Sequence, residues 1–449
     1  MNAKLNLSTG TKGLVIASPK SGSGKTLITL GLLRHIANTG IDVVSAKVGP
    51  DYIDPAFHTV ASGRPCRNLD SWGMRPKTLK KNLDRIAVDG SIVICEGVMG
   101  LFDGARVDPT EQSGSTADIA LFTGWPVVLV ADADAQGASA AALVRGFATH
   151  HEKLQIAGVI FNRVGSETHA EILISSMTNS LPHIPVLGCI PRGEALSLPS
   201  RHLGLIQAIE HPDLEVFIEN AATIVKKNID ITEVLALAYS SYNKQKDCNL
   251  ALPVLGQHIS IAKDDAFNFV YPHVLEGWQD MGAEISTFSP LANEIPKACA
   301  DAIYLPGGYP ELYGGQLAAN RLFISSLIKA ADKGVSIFGE CGGYMVLGRG
   351  LVDARGTRHT MAGLLALETS FEHPRLHLGY RNAQLATDSP LGSKGSNFRG
   401  HEFHYSTIIF EDNTNPLFVI SDAAGSKLGT SGLQNRSVMG SFIHLIDQH

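Results

Sequence analysis

The sequence predicts an α/β protein with two domains, and three observations support this prediction. Short apolar runs alternate with helical patterns, which is typical of parallel sheets covered by helices. The chain has 449 residues, of which 44% are hydrophobic, and this length exceeds that of one ordinary domain. A polar stretch then interrupts the alternation before a second series of strands begins. We predict domains over residues 1–235 and 253–449, joined by a linker over 236–252.

The apolar runs are nearly continuous, which predicts strands buried on both faces of each sheet. In the first domain these runs are Gly13–Ser18, Ile41–Ala46, Ser91–Cys95, Pro126–Ala131, Ala157–Asn162 and Ile184–Ile190. In the second domain they are His258–Ala262, Ala302–Leu305 and Val335–Phe338.

Composition narrows the function classes. The net charge of −6 gives no general attraction to nucleic acid or to an anionic membrane. The segment Met1–Lys12 lacks an apolar signal core, and no stretch approaches the roughly 20 apolar residues of a membrane span. The six cysteines show no CxxC spacing, which favours a reducing compartment. We therefore expect a cytoplasmic protein without nucleic-acid or membrane partners.

A glycine-rich turn, Ser21–Thr26, lies between the first strand and a helical pattern over Thr26–Ile36. Strand, loop and helix in this order are the setting of a phosphate-binding P-loop. Glycines let backbone N–H groups point at phosphate oxygens, and the helix start adds partial positive charge. Lys25 would reach the terminal phosphates of ATP and Thr26 would bind Mg²⁺, although Pro19 replaces the first glycine of the usual GxxxxGK[ST] pattern. The predicted nucleotide-binding residues of the turn are Gly22, Ser23, Gly24, Lys25 and Thr26.

Lys20 lies five residues before Lys25, where proteins of the MinD and ParA group carry a second lysine. In that group the extra lysine reaches the nucleotide of a partner across a dimer, so a homodimer is left open here. The competing interpretation is a solvated turn lysine, because turns are polar by default.

Acidic residues at the ends of strands predict the rest of the first site. Glu96 ends one apolar strand, where a Walker-B-like acid is expected, and Asp132 is a rival with the same geometry. Such acids converge on the edge where parallel sheets bind ligands, and Mg²⁺ prefers their oxygen atoms. Loops near that edge add Lys47, Asp51, Asp54 and Asp103.

The turn Gly339–Gly343 predicts a nucleophile elbow, because it joins a strand to a helix with Cys341 at its apex. We expect the helix start to lower the pKa of this thiol. The N–H groups of Gly308 and Gly342 are the predicted oxyanion donors. The other five cysteines lack this setting and are expected to be buried and inert.

His444 ends the last predicted strand and is our candidate base for Cys341. Class I amidotransferases usually carry a glutamate two residues after this histidine, but Ile446 stands there in this chain. The orienting group is left open between Asp447 and Glu402. His401 and His404 lie three apart in an extended run, so they should face opposite ways and do not predict zinc.

Six segments of the chain resemble the cobyrinic acid a,c-diamide synthases, whose members acting on the cobalt-free ring are hydrogenobyrinic acid a,c-diamide synthases. The resemblance covers essentially the whole chain. The segments are Lys47–His58, Glu96–Gly104, Asn162–Gly165, Leu198–Leu205, Cys341–Tyr344 and Gly400–Ser406.

This resemblance implies a dethiobiotin-synthetase-like P-loop domain followed by a class I glutamine amidotransferase-like domain. It implies that Asn162 reads adenine and that Thr26, Asp51 and Glu96 hold Mg²⁺. Arg192 and Arg201 are further candidates for binding nucleotide or carboxylate, against the alternative of surface ion pairs. The residues implied to line the substrate and phosphoryl-transfer region are Lys47, Asp51, Tyr52, Asp54 and Asp103.

The implied reaction amidates the a and c acetate groups of a corrin-ring precursor, with L-glutamine as the nitrogen donor and ATP as the activator. The same chemistry on another tetrapyrrole polycarboxylate, such as nickel sirohydrochlorin, is the nearest alternative. A MinD- or ParA-like regulatory NTPase is a second alternative, which would leave the Cys341 elbow unexplained. A third is the CTP-forming ligase, which the Asp51–Asp54 loop disfavours.

Overall fold

The computed structural model describes residues 12–193, 200–201, 204–205, 213–239 and 251–449. The chain divides into two compact units. Unit 1 comprises Met1–Ser71, Leu79–Gly104 and Gln112–Asp247, and unit 2 comprises Trp72–Thr78, Ala105–Glu111 and Cys248–His449. Most of the predicted linker, residues 240–250, lies outside the described residues.

Unit 1 is built on a seven-stranded parallel sheet with the strand order β3-β2-β4-β1-β5-β6-β7. These strands are β1 Lys12–Ala17, β2 Val43–Val48, β3 Arg67–Leu69, β4 Ile92–Glu96, β5 Val127–Asp132, β6 Ile156–Val164 and β7 Val186–Pro191. Two further short strands, β8 Ser200–Arg201 and β9 Gly204–Leu205, pair with each other. The sheet confirms the predicted parallel α/β class. The inner strands β1, β2, β4 and β5 are almost wholly buried, as their apolar runs predict.

Eight helices accompany these strands among the described residues. They are α1 Lys25–Asn38, α2 Ile53–Ser62, α3 Pro76–Asp89, α4 Thr116–Thr123, α5 Ser139–His150, α6 Glu167–Ser180, α7 Leu214–Asn228 and α8 Ile231–Leu237. The apolar side of α1 packs with α7 and the central strands in one core, which includes Ile16, Ile28, Val128, Ile160 and Val225. This core places the start of α1 at the carboxyl end of β1, the central strand.

Unit 2 is built on a ten-stranded mixed sheet with the order β11-β10-β12-β13-β22-β21-β20-β17-β18-β23. Its first four pairings are parallel and the remaining five are antiparallel. The strands are β10 His258–Ala262, β11 Glu284–Phe288, β12 Ala302–Leu305, β13 Ser336–Glu340, β17 His377–Leu385, β18 Asn397–His404, β20 Pro416–Ser421, β21 Lys427–Asn435, β22 Val438–Ser441 and β23 Ile443–Gln448. A second sheet contains β14 Gly350–Val352, β15 Arg358–Thr360, β16 Leu367–Ser370 and β19 Thr407–Glu411.

The helices of unit 2 are α9 Pro272–Asp280, α10 Gly314–Ala319, α11 Arg321–Asp332 and α12 Gly342–Leu347. A 3₁₀ turn over Pro310–Tyr313 precedes α10. Phe267, Leu305, Phe323, Tyr344 and Leu347 belong to one buried core, which surrounds the start of α12. No helix in the described part of the chain is long and apolar enough to cross a membrane.

Candidate active sites

The glycine-rich turn has the geometry of a phosphate loop. Gly22 and Gly24 have φ angles of 77° and 94°, a region that favours glycine. A Cβ on Gly24 would lie 2.2 Å from Nδ2 of Asn162, so only glycine fits at this position. These two observations explain why glycine occupies positions 22 and 24.

Lys25 is buried beneath this turn. Its Nζ donates hydrogen bonds to Oγ of Ser18 at 2.9 Å and to the carbonyl oxygen of Met99 at 2.7 Å. Burial lowers the pKa of Lys25 to about 8, partly offset by the negative charge of Glu96. A bound triphosphate would add negative charge beside this amine and favour its protonated form.

Glu96 is the acid next to the phosphate loop. Its Oε1 accepts a hydrogen bond from the hydroxyl of Thr26 at 2.6 Å. Asp132, the rival acid, instead pairs with Arg163, whose Nη1 lies 2.7 Å from Oδ2 of Asp132. Lys20 lies 3.7 Å from Oδ2 of Asp132, and its side chain is 68% exposed. The geometry therefore favours Glu96 as the Walker-B-like acid.

Glu96 also belongs to a buried ionic network. Nζ of Lys47 lies 2.9 Å from Oε1 of Glu96 and 2.5 Å from Oδ2 of Asp54. Burial opposes the charge on Glu96, but Lys47 and the hydrogen bond from His58 overcome it and hold the pKa of Glu96 well below its usual range. Asp54 differs, because burial and the charge of Asp51 raise its pKa to about 7. One ammonium thus holds one ionised carboxylate and one carboxyl that titrates near neutrality.

His58 completes this network and is a site residue that sequence reasoning missed. Its Nε2 lies 2.6 Å from Oε2 of Glu96, and its Nδ1 lies 3.5 Å from Sγ of Cys66. Burial opposes protonation of His58, but Cys66 and Glu96 raise its pKa to about 10. The spacing of Asp54 and His58 could have revealed it, because residues four apart share one face of a helix.

The other predicted residues of unit 1 lie at different positions around this network. Oδ1 of Asp51 accepts hydrogen bonds from the backbone N–H groups of Ile53 and Asp54, and its Oδ2 lies 4.0 Å from Nζ of Lys47. Tyr52 is the residue before α2 and is half-buried. Asp103 is exposed and accepts a hydrogen bond from the backbone N–H of Gly100.

Asn162 is 4% exposed and lies against the phosphate loop. Its Nδ2 donates to the carbonyl oxygen of Ser23 at 2.9 Å. Its Oδ1 is buried without a hydrogen-bond partner in the described part of the chain. A buried acceptor of this kind costs free energy until it meets a donor. The role of Asn162 in reading adenine stays a prediction.

Of the two candidate arginines, Arg192 forms an ion pair with Asp134, and both side chains are more than half exposed. Such pairs contribute little to stability, and this contact matches the surface alternative. Arg201 lies in β8, but its side chain lies outside the described residues.

In unit 2, Cys341 occupies a strained turn between β13 and α12, with φ 48° and ψ −103°. This is the elbow geometry that the sequence predicts. The expectation of a lowered thiol pKa is wrong for this structure, because burial and the nearby Glu311 raise the pKa of Cys341. The N–H of Gly342 opposes this rise without overcoming it. The thiol lies 3.8 Å from the carbonyl oxygen of Phe403.

The predicted oxyanion donors lie side by side. The backbone nitrogen of Gly308 is 3.1 Å from where a Cβ on Gly342 would stand. A Cβ on Gly307 would approach Cε1 of His444 to 2.3 Å. The loop at Gly307 and Gly308 therefore contacts both the elbow and the candidate base.

His444 is buried in β23, directly opposite His401 of β18. Burial, followed by the charges of His401 and His404, lowers the pKa of His444 to about 3. The imidazole is consequently neutral at physiological pH, and a pKa this far below 7 makes it a weak base in this structure.

Asp447, one candidate for orienting His444, is engaged elsewhere. It accepts hydrogen bonds from the backbone N–H and the guanidinium of Arg75 and from the hydroxyl of Thr78. Glu402, the other candidate, pairs with Arg381 and His404, which lower its pKa to about 2 despite burial. Its charge favours protonation of His444.

Glu402 also belongs to a cluster with His377 and His404, whose potential ligand atoms lie within 4.8 Å of one another. Arg381 pairs with this carboxylate, with Nη2 at 2.7 Å from Oε2. His401 and His404 lie in one extended strand, as the sequence predicts.

The expectation for the remaining cysteines is only partly met. Cys66 and Cys95 are buried, Cys189 is half-buried and Cys299 is exposed. The prediction of burial is wrong for Cys299, because this residue lies in the loop before β12 rather than in a core. Cys248 lies outside the described residues.

Two family models match the chain. Residues 14–206 match the model of the CobQ/CobB/MinD/ParA nucleotide binding domain, and residues 258–449 match that of the CobB/CobQ-like glutamine amidotransferase domain. The described part of unit 1 thus carries a nucleotide-binding fold, and unit 2 an amidotransferase fold.

Curated relatives match nearly end to end. The chain is 49% identical over 439 residues to hydrogenobyrinate a,c-diamide synthase of Rhizobium meliloti, covering 97% of this chain and 99% of the relative. The enzyme of the same name from Brucella abortus is 49% identical over 442 residues, with coverages of 97% and 98%. That from Rhodobacter capsulatus is 48% identical over 440 residues, with coverages of 98% and 100%. The chain belongs to the hydrogenobyrinate a,c-diamide synthase family.

Proposed function

We propose that this protein is a glutamine-dependent ligase that converts the a and c acetate carboxylates of hydrogenobyrinate into carboxamides, as a step of cobalamin biosynthesis. The proposal rests on a phosphate loop with Lys25 and a cysteine elbow with Cys341. Both occur in a chain that matches its named relatives over nearly their whole length. The cobalt-containing ring is the second candidate substrate, because its reacting acetates are the same.

In unit 2, we propose that Cys341 attacks the amide carbon of glutamine and forms a thioester. His444 takes the thiol proton and passes it to the departing ammonia. The N–H groups of Gly308 and Gly342 stabilise the oxyanion formed during this attack. Water then hydrolyses the thioester to glutamate. Substrate binding must favour the thiolate, because burial raises the pKa of Cys341 in the structure.

In unit 1, we propose that ATP phosphorylates each acetate, since a free carboxylate has no good leaving group. The substrate oxygen attacks the γ-phosphorus and ADP departs, which leaves an acyl phosphate that ammonia converts to amide and phosphate. Lys25 stabilises the charge on the transferred group. Asn162 binds adenine. Lys47, Asp51, Tyr52, Asp54 and Asp103 line the substrate and phosphoryl-transfer region.

We propose Thr26, Asp51 and Glu96 as the Mg²⁺ ligands. Oγ1 of Thr26 lies 2.6 Å from Oε1 of Glu96. Oδ2 of Asp51 lies 4.0 Å from Nζ of Lys47, and the same Nζ lies 2.9 Å from Oε1 of Glu96. Hydroxyl and carboxylate oxygens suit this ion, which would neutralise charge on the phosphates.

The described cysteines form no disulfide, which supports the cytoplasm as the working compartment. A homodimer in which Lys20 reaches the nucleotide of the partner stays a prediction, and the side chain of Lys20 is exposed.

The test incubates the purified protein with ATP, Mg²⁺, glutamine and hydrogenobyrinic or cobyrinic acid and follows product mass. We expect two carboxyl-to-carboxamide conversions. If neither ring is converted, the proposal is refuted. Cys341→Ala should lose glutamine-driven amidation and retain activity with ammonium salt. Loss of both activities would assign Cys341 a structural role instead.

A further inference from the structure

Glu340 is a buried carboxyl for which the proposed reaction has no role. It ends β13, directly before Cys341, and is 2% exposed. Its Oε2 accepts a hydrogen bond from the hydroxyl of Tyr304 at 2.6 Å. Its Oε1 accepts one from the backbone N–H of Leu445 at 2.9 Å. The carboxyl adjoining the nucleophile thus binds the backbone of the residue that follows the candidate base, His444.

The bond to Leu445 matters because of the place of β23 in the sheet. Among the described strands, β23 pairs only with β18. Other groups bind part of its backbone, and one of them is the carbonyl oxygen of Ala251, which accepts from the N–H of Gln448 at 2.7 Å. Glu340 binds the N–H of Leu445, and Nε2 of His273 lies 2.9 Å from the carbonyl oxygen of Ile446. A buried backbone N–H needs an acceptor. Glu340 supplies the acceptor that a neighbouring strand would otherwise provide.

Glu340 is also fixed on the nucleophile side. It lies opposite Ser441 in the parallel pairing of β13 with β22. The backbone N–H of Cys341 donates to the carbonyl oxygen of Ser441 at 2.8 Å. The main chain of Glu340 is therefore held by β22 while its side chain holds β23.

We propose that Glu340 is a positioning residue, which sets the place of His444 relative to Cys341 by anchoring the backbone of β23. This role compensates for Ile446, which stands where class I amidotransferases usually carry the acid that orients the histidine. The inference rests on the proposed glutaminase function of Cys341 and His444.

The test compares Glu340→Ala with Glu340→Gln in the full-length protein. Glutamine retains an acceptor for the N–H of Leu445, and the hydroxyl of Tyr304 can rotate to accept from its amide. Alanine retains neither partner. We expect kcat for glutamine hydrolysis to fall about tenfold to a hundredfold in Glu340→Ala, because small displacements of reacting groups cost this much. KM for glutamine should change less than threefold, and Glu340→Gln should stay within about threefold of the wild type in kcat.

Glu411→Ala is the matched control. Glu411 accepts a 2.6 Å hydrogen bond from Tyr344, as Glu340 does from Tyr304, but it lies in β19. This variant should keep kcat within about threefold of the wild type. Ammonia-driven amidation should be unchanged in all three variants and confirms that unit 1 remains folded. If Glu340→Ala does not fold, Glu340→Met fills the same volume without an acceptor and replaces it.

Three results would overturn the inference: an unchanged kcat in Glu340→Ala, an equal loss in Glu340→Gln, or an equal loss in Glu411→Ala. Failure of the proposed function gives a different result, because the wild-type protein would then lack glutaminase activity or Cys341→Ala would retain it.

Discussion

The buried ammonium of Lys47 should stabilise unit 1 strongly, and Lys47→Met tests this expectation. The Lys47 side chain is 4% exposed, and its partners Asp54 and Glu96 are almost equally buried. Removing one partner of a buried ion pair costs about 3–5 kcal/mol, because the remaining charge is left uncompensated. Asp54 can escape by binding a proton, since its pKa is already about 7. Glu96 retains its hydrogen bonds from Thr26 and His58. The loss should therefore lie near the lower end of this range, at about 3 kcal/mol.

Hydrogen exchange followed by mass spectrometry measures this loss locally, which suits a chain with two compact units. For amides in β2 and β4 that exchange through unfolding of unit 1, a loss of about 3 kcal/mol accelerates exchange about a hundredfold. Peptides over β12 in unit 2 provide the internal reference. Arg192→Met is the matched control, because it breaks an ion pair that is more than half exposed, and it should accelerate exchange less than about fivefold. If Lys47→Met accelerated exchange no more than this control, the ammonium would only offset its own desolvation and the reasoning would be refuted.

Two further predictions concern the phosphate loop and the acid network. Gly24→Ala should weaken ATP binding at least tenfold by calorimetry, because the new Cβ would displace Asn162 and because φ is 94° at this position. Gly63→Ala is the control, since Gly63 has a φ of 69° and open space around it, and this variant should keep the affinity for ATP within twofold. Equal losses of affinity in the two variants would contradict the steric argument. Asp54 has a folded pKa of about 7 against an ordinary value near 3.9, so its contribution to stability is full below about pH 4 and is lost as the pH rises to about 7. Asp54→Asn should flatten this part of the pH dependence of the urea unfolding midpoint, and an unchanged slope would show that another group causes it.

The elements that the sequence predicted well are those with a strong local pattern. β10 and β12 begin and end where their apolar runs do, and α1 follows the glycine-rich turn. The elbow at Cys341 was also predictable, because its flanking glycines allow close approach of the chain there. A Cβ on Gly343, for example, would lie 1.9 Å from the carbonyl oxygen of Leu305.

Predictions that depended on burial fared worse. The helix start at Gly342 suggested a lowered thiol pKa, but desolvation outweighs this contribution in the folded chain. Asp447 stands close to His444 in sequence, yet it binds Arg75 and Thr78, which are more than 360 residues away. Local sequence carries no information about such distant partners.

The sequence by itself determined the parallel strands of both domains, the phosphate loop, the cysteine elbow and the residue types at each, because these depend on local periodicity and on where glycine is required. Only the tertiary structure decided which acid meets Thr26, which groups surround His444 and which charges survive burial. Glu96 rather than Asp132 lies beside Thr26 because β4 and β1 pair in a fixed register, with Ile16 opposite Glu96. The ionisation of Glu96 likewise depends on Lys47 and His58, since the energy of a buried charge is set by the partners that packing brings within hydrogen-bonding distance.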